Sequence, residues 1–317
     1  MYKRQELDGQ SDKMNPLDFA LWKLAEPNHL MKWNSPWGVG FPGWHLECTA
    51  MSTKYLGEKF DIHGGGLDLM FPHHECEIAQ SNACNHTEPA NYWMHNNMIT
   101  INGQKMGKSL GNFITLEEIY AGNHDLLEKK YSPMTVRFFI LQAQYRSTLD
   151  FSNDALGAAK KGFSKLMNAL RALESFEYKE PLVETNQKQE KAIDTAVQAC
   201  FRAMNDDMNT AVVISNLFQL TKVINQINMN NLVIGALSKE KFELMKNTFI
   251  AFTKEILGLQ DEMPADLLPK IEEILGRYKI AKEAKNYEAV DLIRAELKEM
   301  SIVVKDMKHK IDWAYEE

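Results

Sequence analysis

The sequence predicts an α/β segment followed by an all-α helical bundle and a small α+β unit. Three observations carry that expectation. Between residues 41 and 114, short strand-like runs lead into glycine-bearing stretches and then into helical spacing, as in a parallel α/β layer. From about Thr115 the apolar residues recur at intervals of three and four, the spacing of amphipathic helices. Residues 265–317 give two helices and then two short apolar runs, Ser301–Asp306 and Ile311–Trp313, that read as a hairpin.

Taken in order, residues 1–40 are polar and loop-rich, with one apolar helical stretch at Leu17–Leu24. Trp33 to Trp44 is dense in Pro and Gly, which demand turns, and its three tryptophans need a packing surface. His45–Leu56 reads as a helix. Phe60–Ile62 reads as a short strand running into a His63-Gly-Gly-Gly66 loop. Asp68–Ala83 resumes helical spacing, with His73 near its start after Pro72. Met94–Ile101 reads as one strand, Asn102-Gly103 as a turn and Lys105–Ser109 as a loop. Pro133–Arg146 is a predicted helix. Ser152–Ser175 is a second, with Leu156, Ala159, Phe163, Leu166, Leu170 and Leu173 on one face. Residues 176–189 break the pattern. Helices follow at 190–204, 209–230 and 239–257, a linker at 258–268, and helices at 269–284 and 287–299.

Composition narrows the class. With 44% apolar and 25% charged residues in 317, the chain is globular rather than disordered or fibrous. No stretch is long and apolar enough for a membrane span, the start lacks the apolar core of a signal peptide, and four cysteines are too few for a disulfide scaffold. The expected setting is a reducing cytoplasm with no membrane partner. The net charge of −7 weighs against bulk nucleic-acid binding. Leu126–Glu174, however, holds eight Lys/Arg against four acidic residues, a local +4 that reads either as an RNA-tracking surface or as a solvated helix face.

Three constellations can carry chemistry. Cys48, His73 and Glu77 are all metal-ligand types, and His73 and Glu77 share a helix face at i, i+4; alone, they read more readily as an inert buried thiol and a surface pair. His63-Gly-Gly-Gly66 permits close backbone approach to a ligand, or is a plain turn. Lys105-Met-Gly-Lys-Ser109 offers two ammonium groups to a polyanion such as a triphosphate, or is a solvated lysine loop.

The order of these motifs is far more specific than any one of them. Gly43-Trp-His-Leu-Glu-Cys48, Phe60–Gly66, Phe71-Pro-His-His-Glu-Cys-Glu-Ile-Ala-Gln80, Tyr92-Trp-Met-His95 and Lys105–Phe113 together resemble the cysteinyl-tRNA synthetase family. The likeness continues through Tyr145-Arg-Ser147, Asp206-Asp-Met-Asn-Thr210 and Ala281–Asp306. The resemblance implies a class I synthetase. Residues 1–40 would be the end of its inserted domain, 41–114 the C-terminal half of a Rossmann-type catalytic domain, and 115–151 a stem-contact region. Residues 152–260 would be a tRNA-binding bundle, and 265–317 an anticodon-binding domain.

It implies activation of L-cysteine by ATP, with Mg2+, and transfer to the 3′ end of tRNA(Cys) by a monomer. It implies one Zn2+ held by Cys48, His73 and Glu77, which selects the cysteine thiolate over a serine hydroxyl. Trp44 and His63 would line the cysteine pocket. Lys105 and Lys108 would be catalytic, and Lys108, His63, Gly65 and Asp68 would bind ATP. Gly107 stands where the family's KMSKS loop has its central serine, which implies a more mobile loop.

No HIGH-type tetrad occurs in the sequence, and no cysteine precedes Cys48. The expectation is a chain lacking the family's N-terminal third. Zinc would then have three protein ligands plus water or a neighbour such as His74, and the chain alone would be weakly active or inactive. Two alternatives stand beside this: a non-catalytic tRNA-binding fragment, and a cysteine ligase acting on an amino sugar.

Overall fold

The computed structural model describes residues 13–179, 184–264, 266–306 and 311–315. Residues 1–12 of the predicted polar start, 180–183 of the predicted break, 265 of the linker and the hairpin turn at 307–310 lie outside the described residues. The chain divides into two compact units, Met1–Met98 and Ile99–Glu317.

In the first unit, β1 (Trp22–Leu24) pairs antiparallel with β2 (Gly40–Pro42), Trp22 opposite Pro42. The predicted helix at Leu17–Leu24 does not form. Leu17, Leu21 and Leu24 stay exposed, so a helix there would have no surface to bury, and the ladder to β2 takes the backbone instead. Helix α1 (Trp44–Leu56) matches its expectation and packs against α3 (Glu75–Asn85).

Between them lies β3 (Phe60–Gly66). The three glycines predicted as a loop are strand, paired in parallel with β4 (Ala90–Asn96): Gly64 faces Met94, Gly65 faces His95 and Gly66 faces Asn96. The predicted helix from Asp68 is also interrupted. A single turn, α2 (Leu67–Leu69), meets Phe71 in extended backbone (φ −138°, ψ 130°), and regular helix resumes only at Glu75. The predicted strand Met94–Ile101 is two strands in different sheets, because Asn97 turns its side-chain oxygen onto the Met98 amide (2.8 Å) and ends β4.

In the second unit, β5 (Ile99–Ile101) lies between β6 (Gln104–Lys105) and β7 (Leu149–Phe151). Asn102 and Gly103 both have positive φ (50° and 78°), the geometry of a two-residue hairpin turn. Thr115 and Glu118 form a reciprocal cap on α4 (Leu116–Ala121). Ser132 caps α5 (Pro133–Leu141), which stops five residues short of the predicted end at Arg146 because Gln142–Arg146 turns away to bond the bundle.

Helix α6 (Asn153–Ser175) is the longest helix among the described residues. Ser152 caps it, and all six residues of its predicted face are buried. Helix α7 (Gln187–Asn205) packs on α8 (Thr210–Asn228) and on α9 (Lys239–Ile250), which continues in a wider helical turn to Ile256, while α6 itself packs against α5, α8 and α9. Burying these stripes in one core is what holds α6–α9, since most helical stability in a protein comes from packing an amphipathic face rather than from propensity.

A smaller core closes the chain. Helices α10 (Leu267–Glu283) and α11 (Tyr287–Glu299) bury Ile271, Ile274, Tyr278, Ile293 and Leu297 against the hairpin of β8 (Ile302–Asp306) and β9 (Ile311–Tyr315). The Tyr278 hydroxyl donates to Asp306 (3.1 Å) and accepts from Arg294 Nε (3.0 Å). No helix among the described residues is long and apolar enough to cross a membrane.

Candidate active site and metal-binding residues

The first unit brings Cys48 from α1 together with His73 and Glu77. One ligand atom from each lies within 4.8 Å of the other two, so the three can hold a metal ion. Residues Pro72–Glu77 are helical after the extended Phe71, which gives His73 and Glu77 their one-turn separation; His73 Nε2 is 3.1 Å from Glu77 Oε1. Trp44, one turn before Cys48, lays its ring 4.3 Å from that of His73 while remaining largely exposed. His63 from β3 approaches the other carboxylate oxygen, Nε2 to Oε2 at 3.6 Å.

Glu77 is 1% exposed, and its Oε1 accepts no hydrogen bond despite the nearby His73. Burial pushes its carboxyl up to about 7. Burial likewise raises the Cys48 thiol, reinforced by the charges of Glu77 and Glu47. The imidazoles shift the opposite way. Burial lowers His73; burial, then the neighbouring His73 and His95, lowers His63; and burial with three histidine neighbours takes His74 down to about 4. These rings are therefore neutral at pH 7 and keep a lone pair for a cation. A buried carboxylate without a donor, a thiol and neutral imidazoles form a donor set that suits a borderline-soft divalent metal.

The sequence reading offers His74 as a neighbour of the metal but gives no role to Trp93, His95 or His45 in this wall. His74 Nδ1 lies 2.7 Å from His95 Nε2, and Trp93 stacks on His63 at 4.6 Å. Trp93 and His95 alternate along β4, opposite His63 and Gly65 of β3, so a period-two reading of Tyr92–His95 would have placed both on one face. His45 is held by Gln80 (2.7 Å), which in turn accepts from Thr49 (2.6 Å), and this ties the start of α1 to α3. His63, His74 and Glu77 form a second group able to hold a cation.

Gly65 has a visible steric role. A Cβ there would sit 2.8 Å from His74 Cε1, whereas one on Gly64 would meet only the Met94 carbonyl at 3.6 Å. Asp68 lies in the first turn after β3 and is exposed.

Lys105 and Lys108 belong to the second unit. Both are exposed, Lys105 at the end of β6 and Lys108 opening a short helical turn to Leu110. The Lys108 ammonium sits 5.4 Å from the Phe113 ring centroid. Gly107 has φ −168°, extended backbone open to any residue, so the fold does not require glycine at this position. Of the basic residues in Leu126–Glu174, Arg137 donates to the Leu257 carbonyl (2.8 Å), Arg146 pairs with Asp207 (3.0 Å) and Arg171 pairs with Asp261. Part of the local +4 is thus committed within the fold.

Comparison with known proteins matches residues 1–161 to the tRNA synthetases class I (C) catalytic domain and residues 201–260 to the DALR domain. The chain belongs to this class I tRNA synthetase family. A cysteine–tRNA ligase of Cytophaga hutchinsonii is 60% identical over 99% of this chain and 63% of its own length. One of Bacteroides fragilis is 53% identical over 98% of this chain and 62% of its own length. The chain therefore spans a little under two thirds of these curated relatives. Among solved structures, an Agrobacterium radiobacter LeuRS in a ternary complex with tRNA and LeuAMS superposes with a TM-score of 0.50. It is 14% identical and covers 72% of this chain and 33% of its own, a likeness of fold alone.

Proposed function

We propose that the chain is the thiol-selecting and phosphate-handling portion of a cysteine–tRNA ligase. That enzyme activates L-cysteine with ATP to cysteinyl adenylate and transfers the cysteinyl group to the 3′ end of tRNA(Cys). The observation that carries this reading is the convergence of Cys48, His73 and Glu77 around an orphaned, buried carboxylate oxygen. The relatives' names support the choice of amino acid. These three residues would hold a zinc ion, which would supply a borderline-soft Lewis acid favouring a thiolate over a serine hydroxyl.

The chain's own residues do the rest. The exposed Trp44 ring beside His73, and His63 on the neighbouring strand, border the cysteine. Neutral His63 can accept or donate at the substrate without adding charge beside the metal. The substrate carboxylate oxygen attacks the α-phosphorus in line, and pyrophosphate leaves with the broken bond's electron pair. Lys105 and Lys108 meet the phosphate charge that develops in that step. Gly65 and Asp68 border the nucleoside, Gly65 by offering bare backbone. The terminal hydroxyl of tRNA then attacks the acyl carbon and AMP departs. Residues 115–151, 152–260 and 265–317 are assigned to stem, bundle and anticodon contacts, in keeping with the DALR match inside the second of these.

The test is zinc and ligand binding by the 317-residue chain. Elemental analysis should find one zinc per chain, and calorimetry should show L-cysteine bound at least a hundredfold more tightly than L-serine, with the preference lost on chelation. Zinc content near zero in folded protein, or equal affinity for the two amino acids, would overturn the proposal.

A further inference from the structure

The lysine loop is tied at its base by one side chain that nothing above assigns. Asn112 lies five residues beyond Gly107. Its Oδ1 accepts from the Gly107 amide (2.9 Å) and its Nδ2 donates to the Lys105 carbonyl (3.0 Å). The amide therefore bridges the two backbone groups that flank Met106, so that both lysines leave the bridged segment at fixed points. The stretch between them is anchored from below as well. The Met106 amide donates to the Ile99 carbonyl (3.3 Å), and its side chain packs on the main core. One turn earlier, Asp150 accepts from Thr100 Oγ1 and the Gly103 amide, both at 2.7 Å, and fixes the hairpin that delivers Lys105.

Only an uncharged carboxamide satisfies both partners at once, because it pairs one acceptor with one donor. Alanine satisfies neither, and aspartate keeps the acceptor but has no donor for the Lys105 carbonyl. Glycine at 107 has no side chain to restrain the loop, and a Cβ there would meet nothing closer than Leu110 at 3.9 Å. The restraint on this segment comes from Asn112, not from position 107.

We propose that Asn112 is the positioning residue of the lysine loop, holding Lys105 and Gly107 in the register that presents Lys105 and Lys108 together to a nucleoside triphosphate. The triphosphate part rests on the functional reading above; the clamp itself does not.

The experiment separates the two. Amide hydrogen exchange at Gly107 is measured in the full chain as wild type, Asn112→Ala, Asn112→Asp and Lys108→Ala, alongside ATP affinity by calorimetry. Loss of the acceptor should speed Gly107 exchange at least about tenfold in Asn112→Ala, while Asn112→Asp and Lys108→Ala keep the wild-type rate. Asn112→Ala should weaken ATP about tenfold, and Asn112→Asp should weaken it too, because the Lys105 tie is gone and a negative charge is added. Unchanged Gly107 exchange in Asn112→Ala overturns the clamp. Faster exchange with ATP affinity unchanged in Asn112→Ala but reduced in Lys108→Ala overturns the positioning role. Faster exchange with ATP affinity unchanged in every variant, Lys108→Ala included, refutes the phosphate reading of the loop and leaves the clamp supported. Exchange across α6, measured in the same samples, should not move; if it does, the variant has loosened the fold and the positioning claim fails.

Discussion

Two adjacent glycines of β3 should respond oppositely to the same added methyl group. His63 and Gly65 point to one face of the strand and Gly64 to the other. The Gly65 face is covered by His74, which is 3% exposed, bonded to His95 at 2.7 Å and packed 5.0 Å from Trp93. In Gly65→Ala the new Cβ would meet His74 Cε1 at 2.8 Å, His74 Nε2 at 3.1 Å and Leu69 Cδ1 at 3.2 Å. Carbon contacts settle at about 3.5–4.0 Å, so the ring must retreat by somewhat under about 1 Å from a place where it is held on three sides. Overpacking of this kind costs about 1–3 kcal/mol. Restricting the unfolded chain returns about 0.4–1 kcal/mol, which leaves a net loss of about 1–2 kcal/mol.

Gly64→Ala meets only a carbonyl at ordinary contact distance and keeps the whole entropic gain. Since about 1.4 kcal/mol is a factor of ten, amide exchange in β3 and β4 should speed up about five- to thirtyfold in Gly65→Ala and hold or slow slightly in Gly64→Ala. Local exchange is the right assay because the chain has two compact units and global unfolding need not be two-state. Equal responses from the two variants, or the greater loss from Gly64→Ala, would refute the reasoning that His74 is wedged against the strand.

Three further outcomes follow from the same geometry. Glu77→Gln should weaken zinc binding by at least about a hundredfold in a chelator competition, yet stabilise the metal-free protein. A carboxyl held at about 7 rather than 4.5 costs the fold about 3 kcal/mol above pH 7 and nothing below pH 4.5, so the gain on urea unfolding should vanish in acid. Asp306 is pushed up by burial but held below the ordinary carboxylate range overall by Lys282, Tyr278 and Arg294. Its contribution is present above the unfolded value near 4 and lost as pH falls through the folded one, so Asp306→Asn should cost about 1–2 kcal/mol at pH 7 and flatten the acid limb of the α10–β9 melt. Leu166→Ala, at a fully buried site on α6, should lower bundle stability by about 2–5 kcal/mol in thermal melts followed by circular dichroism.

How much of this was legible depended on how local the deciding contacts were. The α6 stripe, the Asn102-Gly103 turn and the closing hairpin follow from spacing and turn chemistry, which act within a few residues. Leu17–Leu24 was misread because its partner, β2, is twenty residues away and no local pattern announces the pairing. The triple glycine reads as a loop until β4 supplies the ladder that makes it strand. At the site, the Cys48, His73 and Glu77 set was visible as ligand types in order. His74 was visible as a neighbour of that set, but Trp93 and His95 were not, because what makes them part of the wall is the parallel register of β3 on β4, a tertiary fact. Asn112 was hidden for the same reason: its role lies in two backbone groups it reaches across a turn.

The charge balance around Glu77 explains why these residues are packed as they are. Three histidines (His63, His73 and His74) stand beside the Glu77 carboxylate, and these and the nearby His45 all move toward the neutral form, led by burial and in three of the four reinforced by histidine neighbours. A row of imidazoles that suppress one another's charge cannot neutralise a buried carboxylate, and no backbone amide or hydroxyl bonds the open Oε1. Among the described residues, the open Oε1 therefore has no bonded partner to offset the cost of ionising a buried carboxyl. Left so, the carboxyl takes up a proton near neutrality and the wall is held by packing alone. A divalent cation bound by Cys48, His73 and Glu77 would displace that proton and the one on the raised Cys48 thiol, so its affinity should climb with pH and its binding should stabilise β3, α1 and α3 together. On the metal reading proposed above, burial, which leads every one of these shifts, would be what keeps the imidazoles neutral and their lone pairs available to a cation near pH 7.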